Sequence, residues 1–448
     1  MRAKFAGGGQ LSILRDGSRV DARATAGVAD AAALVPAYRY TSRDYVSKER
    51  ERLWPAVWQV ACRREDLPGT GDYLEYLIGD QSILIVRSAA DRIQAFHNVC
   101  LHRGTRLKRG CGSATELRCM FHAWCWNLDG TNKEIVDHHD FPGLKQGDLP
   151  LSEIRVGQWG GFVFINMSPE AESLEEYLGP IPELFARFRL DAMHVQSHRR
   201  TVIAANWKVP IDNFNESYHV VGLHPQQLPF IDDTNVKYAT AGMHSTEHCR
   251  SGIASARLNG NLDEDMVLEA MLDARRSTYH QGDEEPRAQF PALDALTVPQ
   301  GRSARDVVID LKRTRLRAVG QDTSGRSDSD LIDGHGLHLF PNVVMFMSYG
   351  EVFVVRTRPD GGDPDSCIAE IINLDFPAPD ENRARPSITD VPNADDHDWG
   401  LVIEQDLKCF KEVQIGLHSR GFPGIRLAAY QELRIRHMHR NLERYVGS

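Results

Sequence analysis

The hydrophobic rhythm of the chain changes several times, and each change marks a candidate boundary. Residues 1 to about 36 mix Gly, Ala and Arg with weak periodicity and read as an N-terminal arm or a partly ordered extension, residues 1–37. Residues 41–56 show helical spacing, with Tyr45, Leu53 and Trp54 as apolar positions and Thr41 or Ser42 as N-cap candidates. From Trp58 to about Met167 the pattern becomes short strands between Gly, Pro and Asp turns, clearest at 82–86 and 161–166. A helical linker is expected over 172–189, interrupted by Pro180 and Pro182, and a strand around 200–204 opens the next region.

Residues 225 to about 335 are polar, rich in Asp and Arg, and carry few strand signals. They read as a variable excursion over a scaffold, of the kind that shapes a pocket or an interface. A strand pair is expected at 337–347 and 351–357 around the turn Ser348-Tyr349-Gly350, with another strand at 367–374. From about Asp398 the chain reads helical through 407–417, breaks at Gly421 and Pro423, and resumes from Ala428. No internal repeat is visible.

A length of 448 residues suggests two or three domains, and 42% hydrophobic with 25% charged residues is ordinary for a soluble enzyme. The net charge of -10 excludes nucleic-acid binding as a main role. No stretch reaches the apolar length of a membrane span, so the expected compartment is the cytoplasm. Eight cysteines scattered over this length fit reduced thiols better than a disulfide framework. Gly7-Gly8-Gly9 is no dinucleotide fingerprint, because no strand precedes it and the later glycine is missing.

The chemistry is concentrated in two pairs, Cys100-Leu-His102 and Cys119-Met-Phe-His122, separated by sixteen residues. Two thiolates and two imidazoles are the ligand set of a Rieske [2Fe–2S] cluster, with cysteines on one iron and histidines on the other. Each short pair supplies one ligand to each iron from a single loop. Chance produces this pattern in roughly one such chain per thousand. The competing readings are a zinc site built from the same four residues, or unrelated buried cysteines.

Downstream, Glu216, His219 and His224 form E-x-x-H-x(4)-H. Two histidines and one carboxylate make the open site of mononuclear non-haem Fe(II) oxygenases. Alone the pattern is weak, arising by chance in about one chain in ten. A one-electron centre upstream strengthens it, because oxygen activation at ferrous iron needs electrons delivered singly. Positions five apart on an ideal helix lie about 140° apart, so the helix should bend or unwind near Val221-Gly222 to bring both rings to one ion. Glu216 and His219 share a face, which suits a carboxylate that receives a ring N–H or reaches toward a neighbouring subunit. The third ligand must come from elsewhere. Asp406 is the best candidate, Glu404 the fallback and Asp212 a weaker one.

With these residues in view, the chain resembles the large (α) subunit of Rieske non-haem iron aromatic-ring-hydroxylating oxygenases over about residues 38–445. Asn98-Val-Cys-Leu-His-Arg-Gly104 and Cys119 through Asp129-Gly130 look like that family's two cluster loops. Asn206-Trp-Lys208 with Glu216, His219 and His224 looks like its mononuclear iron segment. Leu339-Phe-Pro-Asn342, Glu404-Gln-Asp406 and Val413-Gln414-x-Gly416-Leu417 fit its C-terminal half.

The resemblance implies an α+β chain. A Rieske β-sandwich domain with a leading helix (38–170) precedes a helix-grip, START-like catalytic domain around an antiparallel sheet (171–448, with 225–335 as the excursion). It implies a [2Fe–2S] cluster on Cys100, His102, Cys119 and His122, and Fe(II) on His219, His224 and Asp406. Glu216 and Asn213 become catalytic residues, with Glu216 bridging a cluster histidine across a subunit interface to His219. It also implies a homotrimer, with or without a β subunit, electrons from a ferredoxin or NAD(P)H-dependent reductase, and O₂ as co-substrate. The default reaction is cis-dihydroxylation of an aromatic or related apolar substrate. The alternative is a monooxygenase performing O- or N-demethylation or C–H hydroxylation.

The second cluster loop departs from the family's usual C-P-Y-H-G-W, reading Cys119-Met120-Phe121-His122-Ala123-Trp124. Phe121 cannot donate the hydrogen bond a Tyr would, which should lower the cluster potential modestly. A respiratory Rieske carrier would need two further cysteines where Thr105 and Phe121 stand. An oxygenase-like protein without catalytic iron is disfavoured by the intact Glu216, His219 and His224. His244 and His248 read as structural residues in a loop. His138, His139 and His335 read likewise as loop or strand residues, and His338 as a residue able to face the active site.

Overall fold

The computed structural model describes residues 2–4, 10–13, 33–259, 262–278, 296–379, 381 and 387–447. Much of the expected arm, including Gly7-Gly8-Gly9, lies outside these. Its described pieces are strands: Arg2–Lys4 pairs with Gln10–Ile13, which pairs with Leu258–Asn259. Ala33–Pro36 pairs with Gly424–Leu427, an element the sequence pattern did not show.

The leading helix forms in pieces, Tyr38–Thr41 and Arg43–Lys48, followed by a wider π-helical turn at Glu49–Leu53. Of the two cap candidates it is Ser42 that caps, its hydroxyl accepting from Tyr45 N–H at 3.3 Å. The face carrying Tyr40, Tyr45, Leu53 and Trp54 is buried.

A seven-stranded antiparallel sheet follows, in the order Gln59–Arg63, Phe162–Asn166, Glu153–Trp159, Arg92–His97, Gln81–Ala89, Asp72–Ile78, Cys111–Ser113. The unbroken apolar run at Ile83–Val86 is explained by two cores. Alternate side chains of a strand face opposite sides, so Ile83 and Ile85 enter the main core while Leu84 and Val86 enter a second one. That second core contains Trp124, Trp126, Leu117 and the two cluster-loop cysteines. A small three-stranded sheet, Leu117–Arg118, Cys125–Trp126 and Asn132–Glu134, closes over it.

An eight-stranded sheet dominates the remainder. Its order is Lys237–Ala241, His244–Cys249, Gly334–Leu339, Val343–Ser348, Glu351–Asp360, Asp363–Asp375, His194–Ile203, Thr389–Val391. All neighbours are antiparallel except the last pair. The helix Leu401–Leu417 lies against one face, burying Ile403, Asp406, Phe410, Gln414 and Leu417, a single helical stripe.

The reading of 225–335 as a strand-poor excursion needs correction. Its first part supplies two strands of the main sheet, and later parts supply the helices Glu264–Thr278, Ala304–Ala318 and Asp328–Ile332. The hydrophobic pattern does not show these strands because buried positions such as Ser245 and Glu247 are polar, satisfied by the buried Arg434. Their alternation is therefore not one of hydrophobicity. His244 and His248 accordingly sit on a strand and not in a loop.

Candidate metal centres

Two tight turns present the Cys/His pairs. In the first, Cys100 N–H donates to Thr105 O at 2.8 Å and Gly104 N–H to Cys100 O at 3.0 Å. In the second, Cys119 N–H donates to Trp124 O at 2.8 Å and Ala123 N–H to Cys119 O at 3.1 Å. Both turns need a left-handed residue: Gly104 takes φ 78° at no steric cost, whereas Ala123 is held at φ 59°. Asn98 pins the base of the first loop, its Oδ1 accepting from Leu107 and Lys108 N–H and its Nδ2 donating to Ser82 Oγ at 2.9 Å. Asn98 opens the first loop motif, and only its long-range partners reveal it as a support for that loop.

Cys100 and Cys119 are buried side by side, and the two imidazoles touch with centroids 4.5 Å apart. Burial pushes the Cys100 thiol pKa up, with the neighbouring Cys119 thiol adding to it and the N–H groups of His102 and Arg103 opposing it. His102 stacks on Trp124 at 4.9 Å, and its buried Nδ1 has no hydrogen-bond partner. The Phe121 ring lies 3.8 Å from that of His122. Met120, 81% exposed, and Phe121, 54% exposed, form the outer tip. Thiols are thus sorted to one side and imidazoles to the other, as two irons require. Zinc would draw all four ligand atoms onto one point. Among the described residues the only group of three or more such atoms that converges is a different one.

That group is His219, His224 and Asp406, whose ligand atoms lie within 4.8 Å of one another. The helix unwinds on either side of Val221-Gly222 and not at that pair itself. Helix stops at Asn213, resumes at Val220–Leu223, and ends at His224, whose φ of −121° and ψ of 50° are not helical. The two rings meet because each flanks a short helical turn, with centroids 5.1 Å apart. Asp406 arrives from the buried face of the Leu401–Leu417 helix, its Oδ1 3.0 Å from His224 Nε2. It is 1% exposed, and its Oδ2 is buried without a partner. A buried carboxylate oxygen with nothing to accept from, beside two imidazoles, fits a divalent metal. Glu404, the fallback, is more than a third exposed with Lys408 as its partner, and Asp212 is bonded by Tyr40 at 2.5 Å. Neither reaches the group.

Each of these three side chains is held from behind. Glu216 accepts from His219 Nδ1 at 2.7 Å and from its backbone N–H at 2.9 Å. Burial pulls the His219 pKa down, but the Glu216 carboxylate more than offsets it, and the ring ends above its ordinary value. Gln405 Oε1 accepts from His224 Nδ1 at 2.8 Å and from Gln226 Nε2 at 2.7 Å. Asn213 Nδ2 donates to Asp406 Oδ1 at 3.0 Å. Gln405 stands beside Asp406 in the Glu404-Gln-Asp406 motif, and that adjacency is the one signal of its supporting role in the sequence. His338 is fully buried and directs Nε2 to Pro341 O at 3.1 Å. His244 bonds Tyr177 O at 2.8 Å, and His248 bonds Asp333 at 2.9 Å.

Residues 57–145 match the Rieske [2Fe-2S] domain, and residues 190–448 match the ring hydroxylating alpha subunit (catalytic domain). The glycine betaine monooxygenase oxygenase subunit of Chromohalobacter salexigens is 32% identical over 200 residues, 43% of this chain and 44% of the relative. The carnitine monooxygenase oxygenase subunit of Escherichia coli is 31% identical over 226 residues, 49% of this chain and 59% of the relative. The chain thus spans about half the length of the curated relatives it matches. A quaternary ammonium Rieske monooxygenase solved with L-carnitine shares the fold, with a TM-score of 0.64 at 20% identity over 94% of this chain and 97% of the other. The chain therefore belongs to the ring hydroxylating alpha subunit family, with a Rieske [2Fe–2S] domain ahead of the family's catalytic domain.

Proposed function

We propose that this protein is the terminal oxygenase of a multicomponent Rieske system and that it oxidises a quaternary ammonium substrate as a monooxygenase. The observation carrying the oxygenase reading is the convergence of His219, His224 and Asp406 around one buried, unpartnered carboxylate oxygen. The choice of substrate leans on the glycine betaine and carnitine monooxygenases among its relatives, which favour the demethylation alternative over aromatic cis-dihydroxylation.

In this reading residues 38–170 receive electrons and residues 171–448 oxidise the substrate. Cys100, His102, Cys119 and His122 would hold the cluster, and His219, His224 and Asp406 the iron. When bound, the cluster supplies electrons one at a time and the ferrous iron activates O₂. Glu216 and Gln405 each take a ring N–H, leaving both Nε2 atoms turned to the centre in one tautomer. Asn213 orients the Asp406 carboxylate through the hydrogen bond from its Nδ2. Oxygen inserted into a C–H bond next to the nitrogen gives a carbinol that releases the amine and leaves a carbonyl compound. The second oxygen atom leaves as water with two electrons and two protons.

Electrons come from a ferredoxin or an NAD(P)H-dependent reductase. Both centres sit near the surface of their own region: His219 keeps 20% side-chain exposure, Tyr218 beside it is exposed, and Met120 and Phe121 project next to His122. This supports a ring of three copies in which Glu216 links one copy's cluster to the next copy's iron. Among the described residues no helix is long and apolar enough to cross a membrane.

The test supplies a reductase pair, NADH and ¹⁸O₂ with a panel of trimethylammonium compounds and arenes, and identifies products by mass spectrometry. Amine release with one labelled oxygen in the carbonyl partner, or in its hydrate, is the expected result. Cis-diols from arenes without amine release would overturn the substrate assignment.

A further inference from the structure

The inner face of the eight-stranded sheet leads away from the triad to a cationic cluster that the chemistry above leaves unused. Phe214 follows Asn213 and touches Phe346 and Phe353, the three centroids standing 6.2, 6.3 and 6.4 Å apart. Phe410, one turn beyond Asp406 on the same helix, lies 6.2 Å from Phe214. Although they pack against the core, Phe214, Phe346 and Phe353 are only half-buried, so part of their ring surface is left uncovered.

Phe346 is paired in register with Phe353, and Ser348 with Glu351. Side chains two residues apart on a strand share a face, so Ser348 and Glu351 continue this wall by about 7 Å. Two helices deliver cations there. Lys312, from Ala304–Ala318, donates to Ser348 Oγ and to Glu351 Oε2, the latter at 3.0 Å. Arg315 of the same helix and Arg275 of Glu264–Thr278 donate to Glu351 Oε1. Three cations thus meet on the Glu351 carboxylate, and Asp375 stands across from Glu351 in register on the neighbouring strand.

Lys312 is the informative member. Its side chain is 5% exposed, and of the three N–H donors on an ammonium, Ser348 and Glu351 take two. Burial pulls its pKa down to about 8, with Glu351 pulling the other way. Glu351 already supplies the anion that lets Lys312 be buried, and the third N–H of the ammonium is left to offer to a second acceptor.

We propose that Lys312, Ser348 and the flanking Arg275 and Arg315 form a subsite for a carboxylate group on the substrate. The cationic or apolar end of that substrate lies against Phe214, Phe346 and Phe353, next to the triad. The proposal rests on the oxygenase reading for the position of the substrate, and it narrows the substrate to an acid whose oxidised carbon is separated from its carboxylate by a short chain or ring.

Calorimetric titration of anaerobic, iron-loaded holoenzyme tests this without turnover. Two pairs of probes are compared: 4-trimethylammoniobutanoate against 4-trimethylammonio-1-butanol, and 4-methoxybenzoate against 4-methoxybenzyl alcohol. The wild type is expected to bind an acid about ten-fold more tightly than its alcohol. Lys312→Met should abolish that preference, weakening acid binding by far more than alcohol binding. Glu351→Gln, which removes the internal competitor, should tighten acid binding, a change that structural damage would not produce and that serves if Lys312→Met does not fold. Equal binding of acid and alcohol by the wild type, or a preference surviving Lys312→Met, overturns the subsite. Acid preference confined to the methoxy pair keeps the subsite and overturns the quaternary ammonium reading.

Discussion

Replacing Gln405 with leucine tests whether the site is held from behind as the geometry indicates. His224 is 1% exposed, and its Nδ1–H has Gln405 Oε1 at 2.8 Å as its acceptor. Leucine has similar bulk and no acceptor, so the donor would be left buried and unsatisfied at a cost of about 1–3 kcal/mol. The ring would also be free to turn, and Nε2 would no longer be aimed at Asp406. Loss of such a supporting hydrogen bond typically weakens metal binding about 10–100-fold, or about 1.4–2.7 kcal/mol, which agrees with the first figure. Ferrous iron affinity is measured by competition with a chromogenic chelator, with the visible spectrum of the cluster as an internal control. Gln405→Leu should weaken iron binding by that factor and leave the cluster spectrum intact, while Gln405→Glu restores an acceptor and the affinity. Iron affinity within about two-fold of wild type in Gln405→Leu would refute the reasoning.

Other consequences can be checked directly. Glu216→Gln should retain both metals by elemental analysis yet lose turnover, since an amide can still hold His219 but not carry the carboxylate charge; full activity would remove Glu216 from the relay. Ala123→Gly should raise the urea midpoint by roughly 1 kcal/mol of stability, because Ala123 sits at φ 59° where glycine costs nothing; a lower midpoint would show that the turn is not strained. Burial lowers the pKa values of His244 and His335 to about 4, well under the value of about 6.5 for an unfolded chain. The unfolded chain therefore takes up protons between about pH 6.5 and 4 that the folded one refuses, and stability falls as pH drops through that window, by up to about 3 kcal/mol for the fully buried His244. Urea midpoints equal at pH 7 and pH 5 would contradict this.

What could be read from the chain was whatever a single turn of backbone determines. Cys100 with His102, and Cys119 with His122, sit within four residues of each other, so their spacing alone brings thiol and imidazole to one loop tip. The same holds for Glu216 and His219. The strands at the heart of each region were legible too, because runs such as 83–86 and 343–345 are apolar enough to demand burial.

Tertiary packing decided the rest. Asp406 lies 182 residues from His224, and nothing local distinguishes it from Glu404 two positions earlier. Only the docking of one helical stripe on the sheet turns Asp406 inward and Glu404 out to solvent. Polar residues buried by long-range partners were invisible for the same reason. Glu247 needs Arg434, and Lys312 needs Glu351, before either can be buried on a strand or helix face. Local motifs announce themselves because their geometry is covalent. A site assembled across the fold becomes legible only when burial, with its demand that every polar group find a partner, has chosen which distant residues meet.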